Sequence, residues 1–120
     1  MRAIVVATLI FLSSCVTASI PIPPPAAERM EFSIDSAANT ARFTYGPEQN
    51  YANATFYVFN RDQGVGVIAT ADSMGYVPAT AAFPAVTGNR VIVTVERDQS
   101  AASTCVVIKA GSPGPESTCY

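Results

Sequence analysis

From Met30 to Lys109, apolar and polar residues alternate with a period of two, and no long window places apolar residues at helical spacing. Side chains of a strand point alternately to its two faces, so this pattern specifies half-buried strands and excludes a helical core. Met30, Phe32 and Ile34 alternate with Glu31, Ser33 and Asp35 in a first predicted strand. Ala41, Phe43 and Tyr45 alternate with Thr40, Arg42 and Thr44 in a second, which Gly46-Pro47-Glu48-Gln49-Asn50 ends. The third, Ala54–Phe59, is apolar on both faces, as expected of a central strand whose outer face is partly covered. Asn60-Arg61-Asp62-Gln63-Gly64 is its turn, Val65, Val67, Ala69 and Ala71 mark a fourth strand, and Asp72-Ser73-Met74-Gly75 closes it.

Residues 76–86 carry Pro78 and Pro84 within an apolar stretch. Proline lacks the backbone donor, so this stretch is expected as a loop or a broken edge strand. After the turn signal Thr87-Gly88-Asn89-Arg90, Val91–Glu96 is the clearest strand, with Val91, Val93 and Val95 facing in. Arg97–Ala102 is expected as a loop and Thr104–Lys109 as the last strand. Six or seven short strands in under 100 residues predict a small antiparallel β-sandwich, with a small β-barrel as the alternative. Over about residues 29–110 the pattern resembles the immunoglobulin-like and fibronectin type III-like superfold. That family's core tryptophan is absent, and membership of such a superfold does not specify a function.

One small core is marginal in stability, so a covalent staple is expected. Of the three cysteines, Cys105 and Cys119 flank Ala110-Gly111-Ser112-Pro113-Gly114-Pro115. A strand running out, turning there and returning places residue 119 opposite residue 105. The predicted bridge pins a Gly/Pro-rich tail to the last strand. A redox role is disfavoured, because the spacing is not Cys-x-x-Cys and no basic or histidine neighbour lowers a thiol pKa.

The third cysteine belongs to the N-terminal segment. Arg2, the apolar run Ala3–Leu12 and the small residues Ser13-Ser14 form a secretory signal pattern. Leu12-Ser13-Ser14-Cys15 resembles the bacterial lipobox, which implies cleavage before Cys15 and acylation of that residue. Ordinary cleavage after Val16-Thr17-Ala18, leaving Ser19 first, is the second reading. A retained anchor is disfavoured, since a spanning helix needs about 20 apolar residues. Four of the nine prolines follow in Ala18–Ala27, which is expected to be an extended, stiff spacer. The domain reading is therefore a signal peptide over 1–14 (to 18 with ordinary cleavage), a proline-rich tether over 15–28 and a sandwich over 29–120.

Chemistry-bearing residues are few. With no histidine, Ser-His-Asp and Cys-His catalysis and histidine metal sites are excluded. Carboxylates Asp35, Glu48, Asp62, Asp72, Glu96, Asp98 and Glu116 fall at turns or outward strand positions, with no acidic metal-binding loop among them. No catalytic residue, metal or cofactor is expected. The net charge of −2 and the absence of a basic block argue against a nucleic-acid partner. Of the aromatic group Tyr51, Phe56, Tyr57 and Phe59, most is expected in the core. An outward face carrying Tyr57 and Phe59 is the candidate binding surface. Asn53-Ala54-Thr55 is an N-glycosylation sequon in a eukaryotic host.

Three functions fit this reading. The first is a non-catalytic, lipid-tethered envelope module with a structural or protein-interaction role, its protein partner unidentified and its membrane contact the lipid on Cys15. The second is a freely secreted binding, inhibitor or effector domain presenting loops 46–53, 72–90 and 97–103. An enzyme is the least supported.

Overall fold

The alternation resolves into two antiparallel sheets in a computed structural model, which describes residues 21–119. The leader and Cys15 lie outside the described residues. The strands are β1 (Met30–Asp35), β2 (Thr40–Tyr45), β3 (Thr55–Asn60), β4 (Val65–Thr70), β5 (Phe83–Pro84), β6 (Arg90–Arg97) and β7 (Ser100–Val107). One sheet has the order β1-β2-β5 and the other β4-β3-β6-β7. The sheets do not close into a barrel, so the fold is the sandwich and the barrel alternative is set aside. β1–β2, β3–β4 and β6–β7 are hairpins, and the remaining connections cross between sheets.

The core follows the predicted inward positions. Phe32, Phe43, Phe56, Val58, Val91, Val93 and Val95 are fully buried between the sheets. Aromatic rings occupy the centre: Phe32 and Phe43 lie 5.4 Å apart, and Tyr45 and Phe56 lie 5.1 Å apart across the sandwich. Tyr51, on a single 3-10 turn between β2 and β3, meets Phe56 edge-on at 5.8 Å. Such tilted pairs add about 1 kcal/mol each beyond area burial.

Two expectations are corrected. Residues 97–102 are not a loop: β6 and β7 pair continuously from Arg90↔Val107 to Arg97↔Ser100. Only Asp98 and Gln99 turn, at φ 51° and 66°, the geometry of a two-residue hairpin whose twist matches its strands. Ser100-Ala101-Ala102-Ser103 has little strand propensity of its own. β6 imposes the conformation through the ladder and through a 2.7 Å hydrogen bond between Thr94 Oγ1 and Ser103 Oγ.

The second correction concerns the tether. Residues 21–28 are laid on the domain. Ile22 N donates to Ser100 Oγ at 3.1 Å, Ala26 N donates to Tyr45 Oη at 3.0 Å, and Thr104 Oγ1 donates to Pro25 O at 2.6 Å. Tyr51 Oη donates to Pro23 O, and Pro25 and Ala27 are buried. Proline's missing donor prevents regular pairing, so side chains of β2 and β7 bind the segment instead.

The C-terminal tail behaves as the cysteine spacing predicts. Cys105 and Cys119 are disulfide-bonded, and Cys119 N donates to Cys105 O at 2.8 Å. On the way Gly111 exchanges two 2.9 Å hydrogen bonds with Phe32, so the tail also clasps β1.

Asn60 plays a role that its sequence position did not reveal. Read as a turn residue, it ends β3 with its side chain fully buried. Its Nδ2 donates to Pro84 O at 3.0 Å and to Asn89 Oδ1 at 2.9 Å. Its Oδ1 accepts from the backbone N of Asp62 at 3.0 Å and of Gln63 at 3.3 Å. One amide thus joins the β3–β4 turn to β5 and to the β5–β6 connection. Asn60→Leu keeps the volume but strands these partners, and is expected to cost about 3 kcal/mol in urea unfolding. Replacing Cys105 and Cys119 with alanine is expected to cost a further ~3 kcal/mol, the chain-entropy value for a loop of this size. A loss below about 1 kcal/mol in either variant contradicts the role assigned here.

Candidate interaction surface

The parity of β3 separates its aromatics. Phe56 and Val58 face the core, while Thr55, Tyr57 and Phe59 face outward. Ladder register then places neighbours beside them. Ile68 of β4 and Thr94 of β6 flank Tyr57, and Gly66 and Ile92 flank Phe59. Phe59 is 43% exposed and Ile68 70% exposed. Val107, opposite Arg90 on β7, extends the apolar strip toward the disulfide. The two candidate residues therefore share one open face, and Tyr51 and Phe56, grouped with them in sequence, belong to the core.

Gly66 is required where it sits. A Cβ there would fall 2.0 Å from Val58 O, so no larger residue fits opposite Phe59 without moving β3.

Charged groups frame the strip at both ends. At one end the Asp62 carboxylate accepts from Arg90 Nη2 at 2.6 Å and from Arg90 backbone N at 2.7 Å. The hydrogen bond from the guanidinium, with the backbone donor, holds the Asp62 carboxyl below its ordinary range. At the other end Tyr57 Oη donates to Glu96 Oε1 at 3.3 Å. The nearby Glu96 carboxylate raises the Tyr57 hydroxyl pKa. Beyond Glu96 lies an open polar depression of about 400 Å³ lined by Asn53, Arg97 and Asp98 among others. Asn53 is exposed at its rim, and its φ of 59° is one that asparagine tolerates.

The loops offered as alternative binding elements are not equally free. Loop 46–53 contains the buried Tyr51 and Ala52. Its Glu48 N donates to Gly75 O at 3.1 Å. A Cβ on Gly75 would fall 1.6 Å from Glu48 O, so this contact is a clasp only glycine permits. In the 72–90 segment, Asp72 Oδ1 accepts from Met74 N at 2.8 Å and Tyr76 N at 3.0 Å, which leaves Met74 62% exposed at the tip. The third loop, 97–103, is mostly strand.

No group of three or more His, Cys, Asp or Glu side chains capable of holding a metal occurs among the described residues. The buried hydroxyls of Tyr45 and Tyr51 have pKa values raised by desolvation, and both bind the N-terminal segment. They are structural groups by their contacts.

The Asp62–Arg90 pair gives a pH test. The folded-state pKa is depressed, so its contribution is present above the ordinary aspartate value of ~3.9 and is lost as pH falls through the depressed value. Asp62→Asn is expected to lower the urea midpoint relative to the parent at pH 7, with the gap narrowing as both are acidified below pH 4. A gap that stays constant to pH 2 contradicts an ionic role for Asp62. Compared with protein family models, with curated proteins and with solved structures, the chain gives no match in any of the three.

Proposed function

We propose that this chain is an exported, non-catalytic interaction module, held at a membrane through lipid on Cys15, that engages a protein partner with the outward face of β3. The observation that carries the reading is the open strip of Tyr57, Phe59 and Ile68 on a domain stapled by a disulfide. Aromatic and aliphatic anchors on a rigid sheet lose little entropy on binding, and aromatics are enriched at interface cores. The disulfide and the signal-like leader both favour an oxidising compartment.

Docking of residues 21–28 on the domain bears on the tether. Only residues 16–21 then separate Cys15 from Ile22, the first residue bonded to β7. Six residues reach at most about 20 Å when fully extended. A lipidated chain would therefore hold the sandwich close to the bilayer, where its partner would also be membrane-associated. Cleavage after Ala18 would instead release the same module as a secreted binding domain.

Intact mass of the protein from its native host separates these cases. A chain beginning at Cys15 with added acyl groups, gaining about 2 Da on reduction, is the expected result. A lipid-free chain beginning near Ser19 sinks the tether and leaves the secreted module. For the binding face, Phe59→Asp is expected to abolish partner capture while leaving the unfolding free energy within about 0.5 kcal/mol of the parent, as for an exposed position. Capture that survives this change removes the face from consideration.

A further inference from the structure

A two-sheet sandwich has four lateral strand edges, and an uncovered edge presents a row of unpaired N–H and C=O groups. Three edges of this domain are guarded. β7 is covered along Ser100–Thr104 by the proline segment and at Val106 by an isolated bridge to Thr118. β1 is clasped at Phe32 by Gly111. β5 has just two residues, one of them Pro84, and the chain before it extends the same edge through Val77 and Pro78.

β4 is the exception. It pairs with β3 on one side, and among the described residues no backbone hydrogen bond reaches its other side. Ala71 N donates to Ala54 O, so residues 65, 67, 69 and 71 bond inward by the antiparallel alternation. Gly66, Ile68 and Thr70 therefore direct their N–H and C=O groups outward. The strand Val65-Gly66-Val67-Ile68-Ala69-Thr70 contains no charge, no proline and no lysine, the devices that ordinarily blunt an edge. Its six residues pair with β3 without a bulge, and Ile68 is the most exposed large apolar residue among those described.

We infer that β4 pairs with β4 of a second copy of this chain, antiparallel about a two-fold axis at Ile68, joining the two four-stranded sheets into one. The register is self-complementary. With Ile68 opposite Ile68 of the second copy, Gly66 lies opposite Thr70 and Thr70 opposite Gly66, so every outward group meets another outward group. This gives about six interchain hydrogen bonds. The pairing buries both Ile68 side chains against each other and opposes no like charges within the strands. The flanking charges also favour this orientation. Antiparallel pairing brings the end carrying exposed Arg61 to the end of the second copy carrying exposed Asp72, twice by symmetry. A second copy supplies this match automatically, whereas an unrelated extended peptide would have to carry it.

The inference goes beyond the function proposed above and holds for a lipidated or a lipid-free chain. Tyr57 and Phe59 stay open in such a dimer, while Ile68 passes from that strip into the seam between the copies.

Native mass spectrometry and sedimentation of the protein as its host exports it, in detergent if acylated, test the idea. A concentration-dependent doubling of mass is expected. Ile68→Lys places two lysines face to face on the axis and is expected to weaken the dimer by about thirtyfold, with the far-ultraviolet circular dichroism and unfolding midpoint of the isolated chain retained. Thr70→Lys gives a second edge variant with the same expectation. The register is tested by cross-linking. Ile68→Cys is expected to form a covalent dimer on mild oxidation, and Thr70→Cys is not, because Thr70 faces Gly66 of the second copy. A monomer at all concentrations overturns the proposal. So does a dimer unaffected by both lysine substitutions, preferential cross-linking through Thr70→Cys, or an edge occupied only by a segment of another protein.

Discussion

Contact between Tyr45, Tyr51 and Phe56 is the interaction on which the rest of the sandwich depends. Their rings bridge the two sheets, with Tyr45 and Phe56 5.1 Å apart and Tyr45 and Tyr51 5.7 Å apart. The same two tyrosines extend their hydroxyls to the margin of the core, where they hold the backbone at Ala26 and Pro23. A phenylalanine in either place would fill the core but remove one of the four hydrogen bonds that hold the proline segment. Glu48 completes the arrangement, accepting from Tyr45 Oη at 3.0 Å and pairing with Arg29 at 3.4 Å. Aromatic rings in this chain therefore do two things: they supply core volume in a domain without tryptophan, and they fasten the segment that closes the core's flank.

That closure covers the flank of a small core. The flank between β1 and β7 is sealed by the proline segment, through its side-chain bonds, and by the disulfide-held tail. At one end of the sandwich the amide of Asn60 ties the β3–β4 turn to Pro84 and Asn89. The described residues leave no buried side-chain polar atom without a partner, as expected where each such group would cost 1–3 kcal/mol or so if stranded. Protection is thus concentrated on three edges, while the outer face of β3 and β4 keeps Phe59 and Ile68 exposed.

Much of this was legible in the chain because strand parity is local. Val91, Val93 and Val95 had to share a face, and burial had to be on the side of the valines. Tyr57 and Phe59 had to lie together opposite Phe56 and Val58 for the same reason. The Cys105–Cys119 bridge was legible because a Gly/Pro-rich turn midway between the cysteines returns the chain to its starting level. Three features were not legible. Ser100–Ser103 is strand only because β6 templates it. Asn60 reads as a turn former until Pro84 and Asn89, distant in sequence, are brought to its amide. The proline segment reads as a spacer because proline forbids regular pairing, and nothing in its composition announces the hydroxyls that bind it.

The sequence by itself determined the fold class, the inward and outward positions of most strands and the staple, because these follow from periodicity and spacing. Tertiary structure decided which strands became neighbours, that the prolines joined the domain, and that the outer edge of β4 has no backbone partner among the described residues. Those outcomes depend on hydrogen bonds between residues as far apart as Pro25 and Thr104. No local pattern encodes a partner that only folding brings into contact.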